Sequence, residues 1–187
     1  MDIFIADLNK IINNATLIKS YEKRLLPNDL VRYNQITHAN RRLQFLVGRM
    51  LIYENLSGTF NVTQTGKLVS NGTFLSLAHS ESMVILGMDN KEIGVDVEDK
   101  SKRRNFKSLA NVCHLKDVKD DLSFYREFTK YEADYKLGVT AKDHQFYELE
   151  NYLICLASEQ KILDVVFFDV VPFIQSCVCQ NVQRFQP

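Results

Sequence analysis

The sequence predicts an α+β fold with mainly antiparallel sheet. Three observations lead there. Strand-like segments follow in quick succession over residues 73–98 and again over 144–168. Each group is preceded by one long amphipathic helical pattern. Turn-forming residues such as Asp89-Asn90-Lys91 punctuate the strands as hairpin connections do. Strands and helices interspersed in this way, with hairpins, belong to the α+β class.

In chain order, Ile3 to Leu8 is apolar enough for an opening strand. Pro27-Asn28-Asp29 is a helix start, because Pro27 ends the preceding segment and Asn28 or Asp29 can cap; that helix runs to about Ile36. His38 to about Leu56 carries the longest helical pattern, with Leu43, Leu46, Val47, Met50 and Leu51 at three- and four-residue spacing and Gly58 as a stop. Asn61 to Gly72 is polar and punctuated by glycine, a loop with one weak strand at most. Strands are expected at Thr73 to Ala78, Met83 to Met88 and Ile93 to Glu98, the last two joined as a hairpin by Asp89-Asn90-Lys91. A short helix spans Asn105 to Val112. A second long amphipathic helix spans Leu122 to Leu137, with Gly138 as its C-cap. Closing strands fall at His144 to Leu149, Tyr152 to Ala157 and Leu163 to Phe168. The tail beyond Pro172 gives no pattern. Each half of the chain thus offers one long helix and about three strands.

Composition narrows the function classes. The 187 residues are 45% hydrophobic, with 12 Phe and 8 Tyr, ample for a core. A chain of this length buries about 70% of its unfolded surface without staples. Lys plus Arg and Asp plus Glu both number 23, so the net charge is zero, which argues against nucleic-acid or membrane attraction. No stretch approaches the ~20 apolar residues of a membrane span. Met1 to Asp7 lacks the features of a signal peptide, so a cytoplasmic location is expected, with Cys113, Cys155, Cys177 and Cys179 as thiols. Cys177-Val178-Cys179 lacks a second Cys or His pair at zinc spacing, so zinc is not expected.

Two segments carry candidate chemistry. In Ile93-Gly94-Val95-Asp96-Val97-Glu98, strand alternation sends Ile93, Val95 and Val97 to a core and Gly94, Asp96 and Glu98 to the other face. The two acids then stand roughly 6.6 Å apart along the strand, at ~3.3 Å per residue, which suits two carboxylates reaching one metal. Gly94 leaves room for a ligand beside them. In the second long helix, Glu132 and Lys136 share a face at i and i+4, and Phe128 lies one turn earlier to seat the helix. Taken singly, the first pattern reads as ordinary edge-strand acids and the second as a surface ion pair worth ~0.3–0.5 kcal/mol. His79, at the end of an apolar strand, is suited to donate to a phosphate. Ser80 beside it lacks the Gly-x-Ser-x-Gly turn of a nucleophile. No phosphate loop or dinucleotide fingerprint is present.

These segments occur in a familiar order: Arg41-Arg42-Leu43-Gln44-Phe45-Leu46-Val47-Gly48-Arg49, Thr65-Gly66-Lys67, Ser76-Leu77-Ala78-His79-Ser80, Gly94-Val95-Asp96-Val97-Glu98, and Phe128 with Glu132-Ala133 and Lys136. The chain resembles the 4′-phosphopantetheinyl transferases of the surfactin-synthetase-activating type, over residues 25–168. That resemblance implies a pseudo-dimer of two similar halves, residues 1–88 and 89–187, each a small mainly antiparallel sheet on a long helix, with the active-site cleft between them. It implies Mg²⁺-dependent transfer of 4′-phosphopantetheine from coenzyme A to a serine of an acyl or peptidyl carrier protein, releasing 3′,5′-ADP. By motif, Asp96, Glu98 and Glu132 would hold Mg²⁺. Arg42, Arg49, Lys67, His79, Ser80 and Lys136 would bind coenzyme A. Glu132 would act as general base and Lys136 would contact the phosphate under attack. Lys102, Arg103 and Arg104, with Lys100, would dock an acidic carrier helix. A monomer is expected from the fused halves.

The chain departs from the family pattern in places. Phe128 replaces the usual Trp of the helix motif and Tyr131 the usual first Lys. Asn28 and Asp29 stand where basic residues are usual after the proline, and the region from Lys100 to Asp121 is short. These changes bear on coenzyme A affinity or carrier choice more than on the metal site. They leave open a non-catalytic relative that binds carrier protein or coenzyme A. A metal-dependent phosphoesterase using the same acids is a third possibility.

Overall fold

The structure is a computed structural model that describes residues 1–63 and 66–170 and the backbone of Arg184 and Phe185. Thr65 of the Thr65-Gly66-Lys67 motif, and Cys177 and Cys179, lie outside the described residues. The fold is α+β, with α-helices packed on two sheets.

The chain opens with β1 (Asp2–Asp7), a 3-10 turn (Leu8–Lys10), then α1 (Ala15–Glu22), α2 (Pro27–Gln35) and α3 (Ala39–Asn55). Strands β2 (Phe60–Val62), β3 (Leu68–Ser70), β4 (Phe74–Ser80), β5 (Met83–Asp89) and β6 (Ile93–Asp99) follow. Then come α4 (Phe106–Val112), α5 (Asp121–Leu137), β7 (Asp143–Leu149), β8 (Tyr152–Ser158), β9 (Val166–Asp169) and β10 (Arg184–Phe185).

Local chemistry sets these boundaries. Pro27 occupies the first turn of α2, and the His38 side chain accepts the Arg41 N–H at the start of α3. Asp120 and Ser123 form a reciprocal capping box on α5. Gly138 ends α5 at φ 93°, a left-handed conformation that glycine adopts without strain. Helix α1 was not foreseen. Asn14 caps it by accepting the Leu17 N–H, and Leu17 and Tyr21 anchor it one turn apart.

The first sheet is mixed and seven-stranded, in the order β10-β9-β1-β5-β4-β3-β2. Its β1–β9 pair is parallel and the others are antiparallel. Helices α1 to α3 pack on it through Leu46, Val47, Met50 and their neighbours. The second sheet is antiparallel, in the order β6-β8-β7, and α5 covers one face. Ile85 of β5 and Val95, Val97 and Ile154 of the second sheet make the core between the sheets.

Two expectations are corrected. The stretch read as a loop with at most one weak strand holds two paired strands, with Phe60 opposite Ser70 and Val62 opposite Leu68. The β5–β6 hairpin does not form. Both edges of β5 are taken by β1 and β4, and β6 pairs with β8. Asp89 to Glu92 instead carry the chain from one sheet to the other. At the crossing, Gly87 of β5 has no side chain, and a Cβ there would lie 2.5 Å from Val95 Cγ2. Local turn residues favour a reversal but do not choose its partner strand.

Strand β6 is an edge strand whose outer N–H groups are capped by β4. Val95 N–H donates to Ser76 Oγ (2.9 Å) and Asp99 N–H to Ser80 Oγ (3.1 Å). Serine side chains thus close an edge that backbone pairing leaves open. The expected last strand is shortened to Val166–Asp169, with Leu163 left exposed.

Candidate functional site

The alternation of β6 turns Ile93, Val95 and Val97 into the inter-sheet core. Asp96 and Glu98 face α5 and are 5% and 7% exposed. They are therefore not the solvent-facing acids of an ordinary edge strand. Gly94 is required by α5 itself: a Cβ there would lie 2.0 Å from the Ala133 carbonyl oxygen. The space expected for a ligand beside Gly94 is thus filled by the helix backbone. Phe128 stacks on Phe124 at 5.3 Å between ring centroids and seats the helix, as expected.

That close approach brings Lys136 onto the acids. Its Nζ donates to Asp96 Oδ1 (2.7 Å) and to the Val95 carbonyl (3.0 Å). Glu98 Oε2 accepts from Arg104 Nη2 (2.6 Å) and from the Ser80 hydroxyl (3.1 Å). Glu132 lies one helical turn before Lys136 and is half-buried. Of the buried side-chain polar atoms without a protein partner, two belong to this cluster, Asp96 Oδ2 and Arg104 Nε; Arg42 Nε and Gln44 Oε1 lie on α3.

Burial and the Asp96 charge disfavour ionisation across the cluster. Burial raises the Asp96 carboxyl above the ordinary range, opposed first by Lys136. Burial and then the Asp96 charge push Glu98 up to about 7, against Arg104. Glu132 is raised by burial and then by Asp96. Carboxylates raised by burial and by a neighbouring charge are relieved by added positive charge.

Among the described residues no three His, Cys, Asp or Glu side chains are already gathered as a metal cage; Lys136 and Arg104 occupy the acids' oxygens instead. The donor chemistry nevertheless fits a hard divalent cation. Asp96, Glu98 and Glu132 offer only oxygen, and Asp96 Oδ2 is an acceptor without a donor.

His79 extends the site from the first sheet. Burial, then Arg41, then Lys136 lower its imidazole to about 4, so it is neutral at pH 7. Arg41 Nη1 stands 3.3 Å from each ring nitrogen. The sequence assigned a ligand role to Arg42, but it is Arg41 that meets His79. Arg42 lies over the Tyr33 ring at 4.3 Å, with its Nε buried and lacking a partner. The phase of α3 separates the two: the core stripe Leu43, Leu46, Val47 and Met50 puts Arg42 on its flank and Arg41 opposite.

The other expected residues are held elsewhere. Arg49 is buried, bound to Asp29 Oδ1 (2.7 Å) and packed on Phe45 and Phe60. Tyr53 donates to the other Asp29 oxygen (2.6 Å) and is itself raised to about 12 by burial and then by Asp29. Lys67 caps the end of α5 through the Leu137 carbonyl (3.3 Å) and reaches Glu92 (3.4 Å). Of the basic run, Lys102 pairs with Glu81 and Arg103 is exposed, whereas Arg104 turns inward to Glu98 and the Phe128 ring. The structure therefore gathers Asp96, Glu98, Lys136, Ser80, His79, Arg41 and Arg104, with Glu132 adjoining. Arg42, Arg49 and Lys67 are engaged apart from them.

A cavity of about 530 Å³ opens elsewhere, over an apolar floor that includes Ile5, Met83 and Phe167. Asp7, Asp99, Glu150 and Asp169 line it. Glu148 and Lys10 line it too, so its charge is net negative and disfavours a multiply anionic ligand.

In comparisons with known proteins, no family model and no curated protein matches the chain. Across the described residues no helix is long and apolar enough to cross a membrane.

Proposed function

We propose that this protein transfers the 4′-phosphopantetheine group of coenzyme A to a serine of an apo acyl or peptidyl carrier protein. The observation that carries the proposal is the meeting of Asp96 and Glu98 from a strand with Glu132 and Lys136 from a helix, beside His79 from the other sheet and Arg41 from α3. Acids and bases interleaved in this way suit a divalent cation together with a diphosphate. In the proposed arrangement, residues 1–88 and 89–187 are two related halves, each with a 17-residue helix, α3 or α5, against its sheet. The protein would act as a cytoplasmic monomer.

Asp96, Glu98 and Glu132 are the residues to hold Mg²⁺. The ion would neutralise charge on the pyrophosphate and polarise the phosphorus. Lys136 and Arg41 bear the positive charge that orients the phosphates, and neutral His79 has one N–H to donate. The carrier serine oxygen attacks the phosphorus of the phosphopantetheine, and the bond from that phosphorus to the bridging oxygen breaks. The electron pair leaves with 3′,5′-ADP, and the serine proton passes to the Glu132 carboxylate, whose raised pKa suits a general base. Catalysis of this kind rests on positioning and electrostatics.

Tyr131 favours a second reading, a non-catalytic binder. It is 40% exposed, so it supplies no fixed positive charge where the family has a lysine.

The test is release of 3′,5′-ADP from coenzyme A in Mg²⁺. The proposal expects one equivalent per apo carrier added and none without carrier. Release without any carrier would make the protein a phosphoesterase, and no release with any carrier would favour the binder.

A further inference from the structure

We infer that Arg104 and Lys136 are exchangeable counter-ions: they neutralise Glu98 and Asp96 in the free protein and move to the phosphates of the ligand when a divalent cation takes the carboxylates. This rests on the metal-and-diphosphate reading of the site. It gives Arg104 a role inside the site in place of carrier docking.

The starting point is two of the four buried side-chain atoms without protein partners among the described residues, the two that lie beside the acids. Asp96 Oδ2 is an acceptor with no donor, and Arg104 Nε is a donor with no acceptor. Buried polar groups are nearly always satisfied, so each points to something the free chain does not supply. A cation answers the first and an anionic oxygen answers the second. Arg104 uses one nitrogen on Glu98 and leaves part of its fork unused, although a guanidinium is shaped for two-point binding of phosphate.

Charge balance points the same way. When all are ionised, Asp96, Glu98 and Glu132 carry three negative charges, set against Lys136 and Arg104, with Arg41 nearby. A divalent cation alone must break both ion pairs and strand two cations. A diphosphate alone meets three carboxylates. Arriving together, the cation's two charges and those of Lys136, Arg104 and Arg41 oppose the three of the carboxylates and the two of the diphosphate, because the displaced cations find the phosphates. The side chains can make the exchange. Arg104 stands in the irregular segment between β6 and α4, one residue before the Asn105 cap. Lys136 reaches Asp96 along a flexible stem that is one-quarter exposed. Cation and diphosphate should therefore bind cooperatively, each tightening the other by the same factor.

Mn²⁺ binding followed by electron paramagnetic resonance and calorimetry tests this, with 3′,5′-ADP, which keeps the 5′-phosphate of the substrate's diphosphate, as the phosphate probe. Arg104→Gln removes the counter-ion from Glu98. It should tighten Mn²⁺ on the ligand-free protein by about tenfold, within the usual range of coupling between sites. The same variant should bind 3′,5′-ADP less tightly when Mn²⁺ is present. Arg104→Lys keeps the charge and should hold Mn²⁺ as weakly as the parent, with the same melting temperature. The inference is overturned if Arg104→Gln leaves Mn²⁺ affinity unchanged or lower, as a docking or purely structural residue would. It is also overturned if Arg104→Lys tightens Mn²⁺ equally. If the parent does not bind Mn²⁺ even with 3′,5′-ADP present, or if Asp96→Asn leaves that affinity unchanged, the metal site itself is wrong and both proposals fall.

Discussion

Replacing Gly94 by alanine probes the contact on which the site is built. The added Cβ would lie 2.0 Å from the Ala133 carbonyl oxygen and 2.9 Å from both Ala133 C and Leu137 N. These are backbone atoms of α5, so no side chain can turn aside. To bring the oxygen beyond 3.0 Å, helix and strand must part by about 1 Å. Overpacking of a rigid contact costs about 3 kcal/mol, the upper end of the usual range. At roughly 2–4 °C per kcal/mol for a chain of this size, Tm should fall by about 6–12 °C. Gly48→Ala is the control. Its Cβ would meet the flexible end of Leu77 at 2.9 Å, a cost of about 1 kcal/mol for a shifted rotamer. Alanine returns about as much through helix propensity, so Tm should scarcely move. Thermal unfolding by circular dichroism measures both. A Gly94→Ala protein that melts within about 2 °C of the parent, or above Gly48→Ala, would refute the packing of α5 on β6.

Further outcomes are expected. Arg49→Ala should destabilise by about 3 kcal/mol, because it strands buried Asp29, yet leave 3′,5′-ADP affinity unchanged; denaturant unfolding and calorimetry check both. Lys136→Ala should abolish transfer and, since the lysine is partly exposed, cost only about 1–2 kcal/mol of stability. His79 should titrate near 4 by NMR. Its folded pKa lies below the ordinary 6.5, so its effect on stability is absent above pH 6.5. Acidification from 6.5 towards 4 protonates the unfolded chain first and lowers stability. His79→Gln should remove that part of the acid sensitivity.

The strand carrying Asp96 and Glu98 and the helix carrying Glu132 and Lys136 were legible because each rests on local rules. Period-two alternation fixed the two faces of β6, and Gly138 marked the end of α5. Their meeting was suggested by motif order rather than by local rules. What stayed hidden depended on long-range partners. Asn14 with Leu17 and Tyr21 is too short a pattern to announce α1. Arg49 looks like any basic residue until Asp29, twenty residues earlier, is seen buried against it. Arg104 sits in a basic run that the resemblance assigns to carrier docking, and the fold turns it onto Glu98. The space beside Gly94 reads equally well as a ligand seat or a helix contact; only the packed structure chooses.

The most direct test of the proposed activity is intact-mass analysis of an apo carrier protein incubated with the full chain, coenzyme A and Mg²⁺. The expected result is a gain of one phosphopantetheine on the carrier serine, lost with Glu132→Gln. An unchanged carrier mass across fatty-acid, polyketide and peptide carriers, with coenzyme A intact, would contradict the proposed transfer.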